Sequence, residues 1–340
     1  MVTLQQIIRT AAFFTALSPL TAYAADNAPG AIDRACAKVA AILPPASDQP
    51  TPAQRNTLAG CDSEALYYGI GQKADPEKAR LCAFIEQEKE TDTQPEGFSG
   101  SHILMMIYAN GKGAQRNTPY AIHLACTSSW APAERDSRVQ HLMGKKESWY
   151  KSDFEFCDDA TSGLTGGYCT AHDLRFKKVK QDAALNNFKN HLSEKDQGAF
   201  ATLQKAQAAW AQARSDKEID LSGTSRASFG LEEENRQNQD FIDMLERVQN
   251  GKPPAFGPTQ FAQANAKMQD TLTKLAAQKD NLQDGTVTVQ SIQQAQTVWI
   301  AYRDAWADFI KTSYPSWTQT SIKTWLTMKR ADMLMHLLPN

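Results

Sequence analysis

After Asp153 the chain is rich in Ala, Gln, Lys and Asp and carries few strand signals, a pattern that predicts long helices. Gln207, Trp210 and Arg214 step by three and then four, which puts them on one helical face, and Gln296, Trp299 and Arg303 do the same. Trp299, Tyr302, Trp306 and Phe309 continue the second face as an aromatic stripe, too much apolar surface to leave wet. Before Met143 the pattern is different: apolar helix-like runs lead into Gly-x-Gly. The fold class predicted is all-α, in two parts.

Each part contains a duplication. Tyr68-Gly69-Ile70-Gly71 through Asp75, Pro76 and Ala79 recurs 42 residues later around Asn110-Gly111-Lys112-Gly113, Asn117 and Ala121. A helix closed by a left-handed Gly, a second helix capped by Asp or Asn, and an Ala for close packing together make a helical hairpin. A phosphate-binding reading of these glycines fails, because no strand precedes them and no third Gly or Lys-Ser/Thr pair follows. These residues resemble degenerate Sel-one-like repeats, relatives of the tetratricopeptide repeat, and that resemblance implies a partner-binding scaffold over about residues 31–143.

The second duplication pairs Leu203–Arg214 with Ile292–Arg303 at an offset of 89, in the shared frame Ala-Gln-x-x-Trp-x-x-x-Arg. With the Cys157–Cys169 opening, Leu185-Asn186 before Phe188, Tyr302-Arg303-Asp304, and a closing helix bearing Arg330, Leu334 and Leu337, it resembles the LprI family of exported helical domains, named for a lysozyme inhibitor. Two copies are expected, at 154–250 and 258–340, divided by Lys252-Pro253-Pro254 and Gly257-Pro258. The first copy departs from the family frame, with Ala213-Arg214-Ser215 where the second has Tyr302-Arg303-Asp304. The resemblance implies an envelope protein that binds another protein. Trp210, Trp299 and Arg303 read as structural, with Arg303 bonded to a helix end or to a buried carboxylate such as Asp304. Trp317 and Trp325, beside the Tyr314-Pro315 break, are the candidates for an exposed partner-binding surface.

Arg9, the apolar stretch Ala11–Leu20 and Ala22-Tyr23-Ala24 form a secretory leader pattern over residues 1–24. Its apolar stretch is too short to span a membrane, and the longest later run is Ile103–Ala109. The expected location is the periplasm. An even count of six cysteines in an exported chain reads as three disulfides. Cys157 and Cys169 close the shortest loop. Cys36, Cys61, Cys82 and Cys126 pair among themselves, with Cys61–Cys82 and Cys36–Cys61 equally symmetric about a turn.

A formal net charge of −2 excludes the electrostatic footprint of a dedicated nucleic-acid binder. No Cys-x-x-Cys, His-Glu-x-x-His or Gly-x-Ser-x-Gly pattern is present, so no metal, cofactor or catalytic residue is expected. Glu232-Glu233-Glu234 reads as a solvated helix start. The partner expected is a protein: a lysozyme-like hydrolase, or alternatively a delivered toxin that this chain neutralises as an immunity protein, or the components of an envelope scaffold.

Overall fold

The structure, a computed structural model, describes residues 30–91, 97–144, 152–251, 253–278, 282 and 285–338. The leader pattern and Lys252 lie outside these residues. The described chain is all-α, with thirteen α-helices and no strand. No helix among them is long and apolar enough to cross a membrane.

The N-terminal helices are α1 (Ala31–Val39), α2 (Pro52–Thr57), α3 (Ser63–Tyr68), α4 (Pro76–Gln87), α5 (Gly100–Asn110), α6 (Thr118–Thr127) and α7 (Pro132–Gly144). The two Gly-x-Gly stretches make the same turn. Gly69 (φ +75°) and Gly111 (φ +70°) end α3 and α5 in the left-handed region, which a side chain would penalise. In the first, the N–H groups of Gly69 and Ile70 both donate to Ala65 O; in the second, those of Gly111 and Lys112 both donate to Ile107 O. Asp75 then caps α4 through Lys78 N, and Asn117 caps α6 through Tyr120 N. Ala79 and Ala121, both fully buried, allow close approach. The apolar run Ile103–Ala109 is the middle of α5 and lies at the centre of the first core, with neighbours on every side.

Six longer helices follow: α8 (Gly163–Asn190), α9 (Glu194–Glu218), α10 (Arg226–Gln249), α11 (Pro258–Ala277), α12 (Val289–Ser313) and α13 (Gln319–Met335). Within the first three, α10 packs against both α8 and α9; within the last three, α13 packs against both α11 and α12. Helices α9 and α12 join the two sets side by side and antiparallel, since Asp196 meets Ser313, Phe200 meets Phe309 and Trp210 stacks near Tyr302. The second core is therefore continuous across the duplication, from Phe188 to Leu337.

Helix α8 links the two cores. Its early residues Tyr168 and Cys169 pack on the first core together with Phe154 and Phe156, whereas Phe188 at its end belongs to the second. Buried Glu134 of α7 holds the start of α8 by accepting from Thr161 N (2.9 Å), Ser162 N (2.6 Å) and the Thr165 hydroxyl (2.5 Å). Burial alone would raise the carboxyl pKa of Glu134, but these donors outweigh it and hold the group below its usual range.

All six cysteines are paired: Cys36–Cys126 ties α1 to α6, Cys61–Cys82 ties the lead-in of α3 to α4, and Cys157–Cys169 ties the linker to α8. The structure thus selects Cys61–Cys82 over Cys36–Cys61. Non-reducing peptide mapping should recover these three pairs. Replacing both Cys157 and Cys169 by Ala should lower unfolding free energy by roughly 3 kcal/mol, the loop-closure value for so short a loop, as read by urea denaturation.

Candidate functional site

The duplicated Gln-Trp-Arg residues sit inside the bundle. Trp210 is buried and its indole donates to Gln237 Oε1 (2.9 Å), while Gln207 donates to Asn238 Oδ1 (2.7 Å). Arg214 reaches two carboxylates, Glu233 through Nε (3.1 Å) and Glu218 through Nη1 (2.8 Å). From the other copy, Arg330 grips both oxygens of Glu218 (2.7 and 2.5 Å), donates Nε–H to Gln296 Oε1 (2.8 Å), and lies over the Trp210 ring at 5.0 Å. Arg330 has no exposed surface and Glu218 is 1% exposed. A buried charge must be paired, and here two arginines and two carboxylates satisfy one another.

Three expectations are corrected. Glu233 is not a solvated helix residue: it is 1% exposed and paired with Arg214 and Arg236. Arg303 lies over Trp299 (5.2 Å) and bonds Asp304 as expected, but Asp304 is half-buried and not a buried carboxylate. Trp317 is buried at 3% exposure, folded back into the second core by the Pro315 break, and is not on the surface. Trp325 is half-buried, with Arg247 (4.9 Å) and Lys329 (5.8 Å) over its ring. Tyr302 is buried and its phenol is pushed up by desolvation.

A surface site forms instead between the start of α3, the end of α4 and the start of α5. A cleft of about 460 Å³ is lined there by Asp62, Glu64, Glu86, Lys89, Glu90, Phe98 and Ser99. None of its carboxylates was singled out by the sequence pattern, because Asp62 and Glu64 come from the start of α3 and Glu86 and Glu90 from the end of α4, and only packing brings the two pairs together. Asp62 caps α3 through Ala65 N (2.8 Å); Glu86 accepts from Ser63 N (3.1 Å); Glu90 accepts from Ser101 N (2.8 Å) at the start of α5. Glu64 receives His172 Nδ1 (2.6 Å) and, with Asp62, the Arg175 guanidinium from α8. Phe98, at φ +58°, stacks on the His172 ring at 4.1 Å.

Charge in the cleft is unevenly tuned. Burial raises the Glu86 carboxyl, with the Ser63 bonds offsetting only part. Burial likewise raises Glu155, which accepts the Tyr68 hydroxyl behind the His172 ring. For Asp62 burial also acts upward, but Arg175 and the Ala65 N–H outweigh it and hold the group below its usual range.

Two clusters resemble hydrolytic machinery and lack its wiring. Ser99 Oγ lies 2.9 Å from His102 Nδ1, but the Trp130 indole, a pure donor, bonds His102 Nε2 at 2.8 Å. Nε2 is therefore the acceptor, Nδ1 carries the proton, and His102 donates to Ser99 instead of taking its proton. At a second hollow, Ser137 and His141 both bond Asp159 (2.6 and 3.1 Å), so that Ser137 spends its proton on the carboxylate. Cys61, Cys82 and Glu86 converge within 4.8 Å, but the two sulfurs are bonded to each other and offer no thiolate to a metal. Comparison with protein-family models, with curated proteins and with solved structures found no match.

Two measurements test this account. Glu218→Leu should cost about 3–5 kcal/mol by stranding Arg330, and adding Arg330→Met should restore most of it, as measured by thermal and urea unfolding. The native state holds protons on Glu86 and Glu155 to higher pH than the unfolded chain does, so these groups favour folding below their raised pKa values and lose that advantage as pH rises through them. Subtracting the stability–pH profile of Glu86→Gln/Glu155→Gln from that of the parent should leave a difference that falls with rising pH above the ordinary glutamate value. A flat difference would remove the assignment.

Proposed function

We propose that this protein is exported and acts outside the cytoplasm by binding another protein, a lysozyme-type peptidoglycan hydrolase first among partners. The observation that carries this reading is the cleft between the ends of α3, α4 and α5: carboxylates held in place before any partner arrives, beside Phe98, which stacks on His172. A negative site of fixed geometry complements a cationic partner at little ordering cost. Three disulfides and the leader pattern support action in an oxidising compartment. The Sel-one-like and LprI-like resemblances support the same class of role. Because Gln207, Trp210, Arg214, Trp299 and Tyr302 are spent on the interior, the contact surface for the hydrolase on this reading is the cleft and not these motif residues.

Turnover of peptidoglycan by chicken-type, goose-type and invertebrate-type lysozymes, with and without the purified mature protein, tests the proposal. Stoichiometric inhibition is expected, weakened about tenfold by Glu90→Lys through slower association at low salt. Inhibition of none of them would transfer the reading to a delivered toxin or an envelope assembly partner, and lysis by the protein alone would make it an enzyme.

A further inference from the structure

The two copies differ at one buried amide. In the first, Gln207 (8% exposed) gives its amide N–H to Asn238 Oδ1, a strong acceptor at 2.7 Å. In the second, Gln296 (8% exposed) has its oxygen claimed by Arg330 Nε–H at 2.8 Å. Arginine is donor only, so this bond fixes the amide orientation and turns the NH₂ group away from Arg330. The acceptor that NH₂ group meets is the Met268 thioether, at 3.5 Å, a weak one. The position equivalent to Asn238, 89 residues on, is Thr327, whose hydroxyl is committed to Lys323 O (2.7 Å). The second copy has thus lost the acceptor that the first retains.

Gln296 also lines a groove of about 340 Å³ between α11 and α12, whose walls are Leu272, Leu275 and Ala276 on one side and Val289 and Ile292 on the other. Among the described residues no charged or aromatic side chain lines it, and Gln293 and Thr297 of α12 add exposed neutral polar groups. We infer that this groove docks a neutral aliphatic peptide segment of a partner protein, with branched side chains against the leucine and isoleucine walls and a backbone carbonyl accepting from Gln296 Nε2. A fatty acid fits the walls but not the chemistry. Its carboxylate at Gln296 would be desolvated beside Arg330, which already has its Nε on Gln296 and its Nη groups on Glu218. A peptide carbonyl brings an acceptor without a charge, and a buried amide left with only a thioether partner gains from it. This inference rests on the protein-binding reading and adds a second contact surface to it, on the C-terminal bundle.

The test is methyl NMR of the full mature chain, labelled at Ile, Leu and Val and titrated with N-acetyl-Leu-Ala-Leu-amide. Saturable shifts confined to Leu272, Leu275, Val289 and Ile292 are expected. Gln296→Glu keeps the acceptor for Arg330 but removes the donors, and should weaken binding at least tenfold with circular dichroism unchanged. Leu272→Trp, at a half-buried wall position, should fill the groove and abolish the shifts while the rest of the spectrum persists. Shifts absent, or equally strong in Leu272→Trp, overturn the inference; decanoate saturating the same methyls more tightly than the peptide overturns the choice of occupant. Peptide binding by a protein that inhibits no hydrolase leaves the groove standing and defeats only the hydrolase reading, whereas inhibition without peptide binding defeats the groove alone.

Discussion

Glu218 is where the two halves of the C-terminal bundle are bound to each other. It sits at the end of α9, receives Arg214 one turn earlier on its own helix, and takes a two-pronged guanidinium from Arg330 on α13 of the other copy. An ion pair this deep contributes little net stability over an apolar replacement of the same shape, because desolvating the charges costs nearly what their attraction returns. Removing one member is another matter, since the survivor is stranded in a dry core. The consequence is geometric: Arg330 of α13 meets α9 in one register, with its guanidinium over the Trp210 ring.

A similar device joins the bundle to the N-terminal helices. Glu134 belongs to α7, yet it satisfies the first backbone N–H groups ahead of α8, and the Cys157–Cys169 bridge ties the linker to the same helix. Arg175 and His172 then fasten α8 to Asp62 and Glu64. Two carboxylates of the cleft, Asp62 and Glu64, are thereby partnered from α8, while Glu86 and Glu90 are held within the N-terminal helices. Three of the cleft carboxylates, Asp62, Glu86 and Glu90, are oriented by N–H groups at helix starts.

Duplication and divergence account for the difference between buried and available polar groups. Copy one closes every amide it buries with another side chain; copy two gives up that closure at Gln296 and opens a groove at the same place. Gln207, Trp210 and Arg214 in one copy and Gln296 and Trp299 in the other are buried, so the repeated frame here marks a shared core. Partner contact has to come from surfaces on which the copies and modules differ.

Local patterns along the chain determined the helices, the turns and their caps, since φ at Gly69 and Gly111 and the capping bonds of Asp75 and Asn117 depend on residues only a few positions apart. The even cysteine count determined that the thiols would be paired, and the aromatic stripe on α12 determined which face would be buried. Partners distant in sequence were beyond such patterns. Nothing near Glu233 distinguishes it from Glu232 and Glu234, and its role comes from Arg214 on a neighbouring helix. Trp317 follows a proline break that reads as surface until the chain folds back over the second core. Tertiary structure alone decided the cleft, the choice of Cys61–Cys82 and the Glu218–Arg330 pair. Each depends on the angle at which two helices pack, and that angle is set by the sum of many contacts rather than by any spacing along the chain.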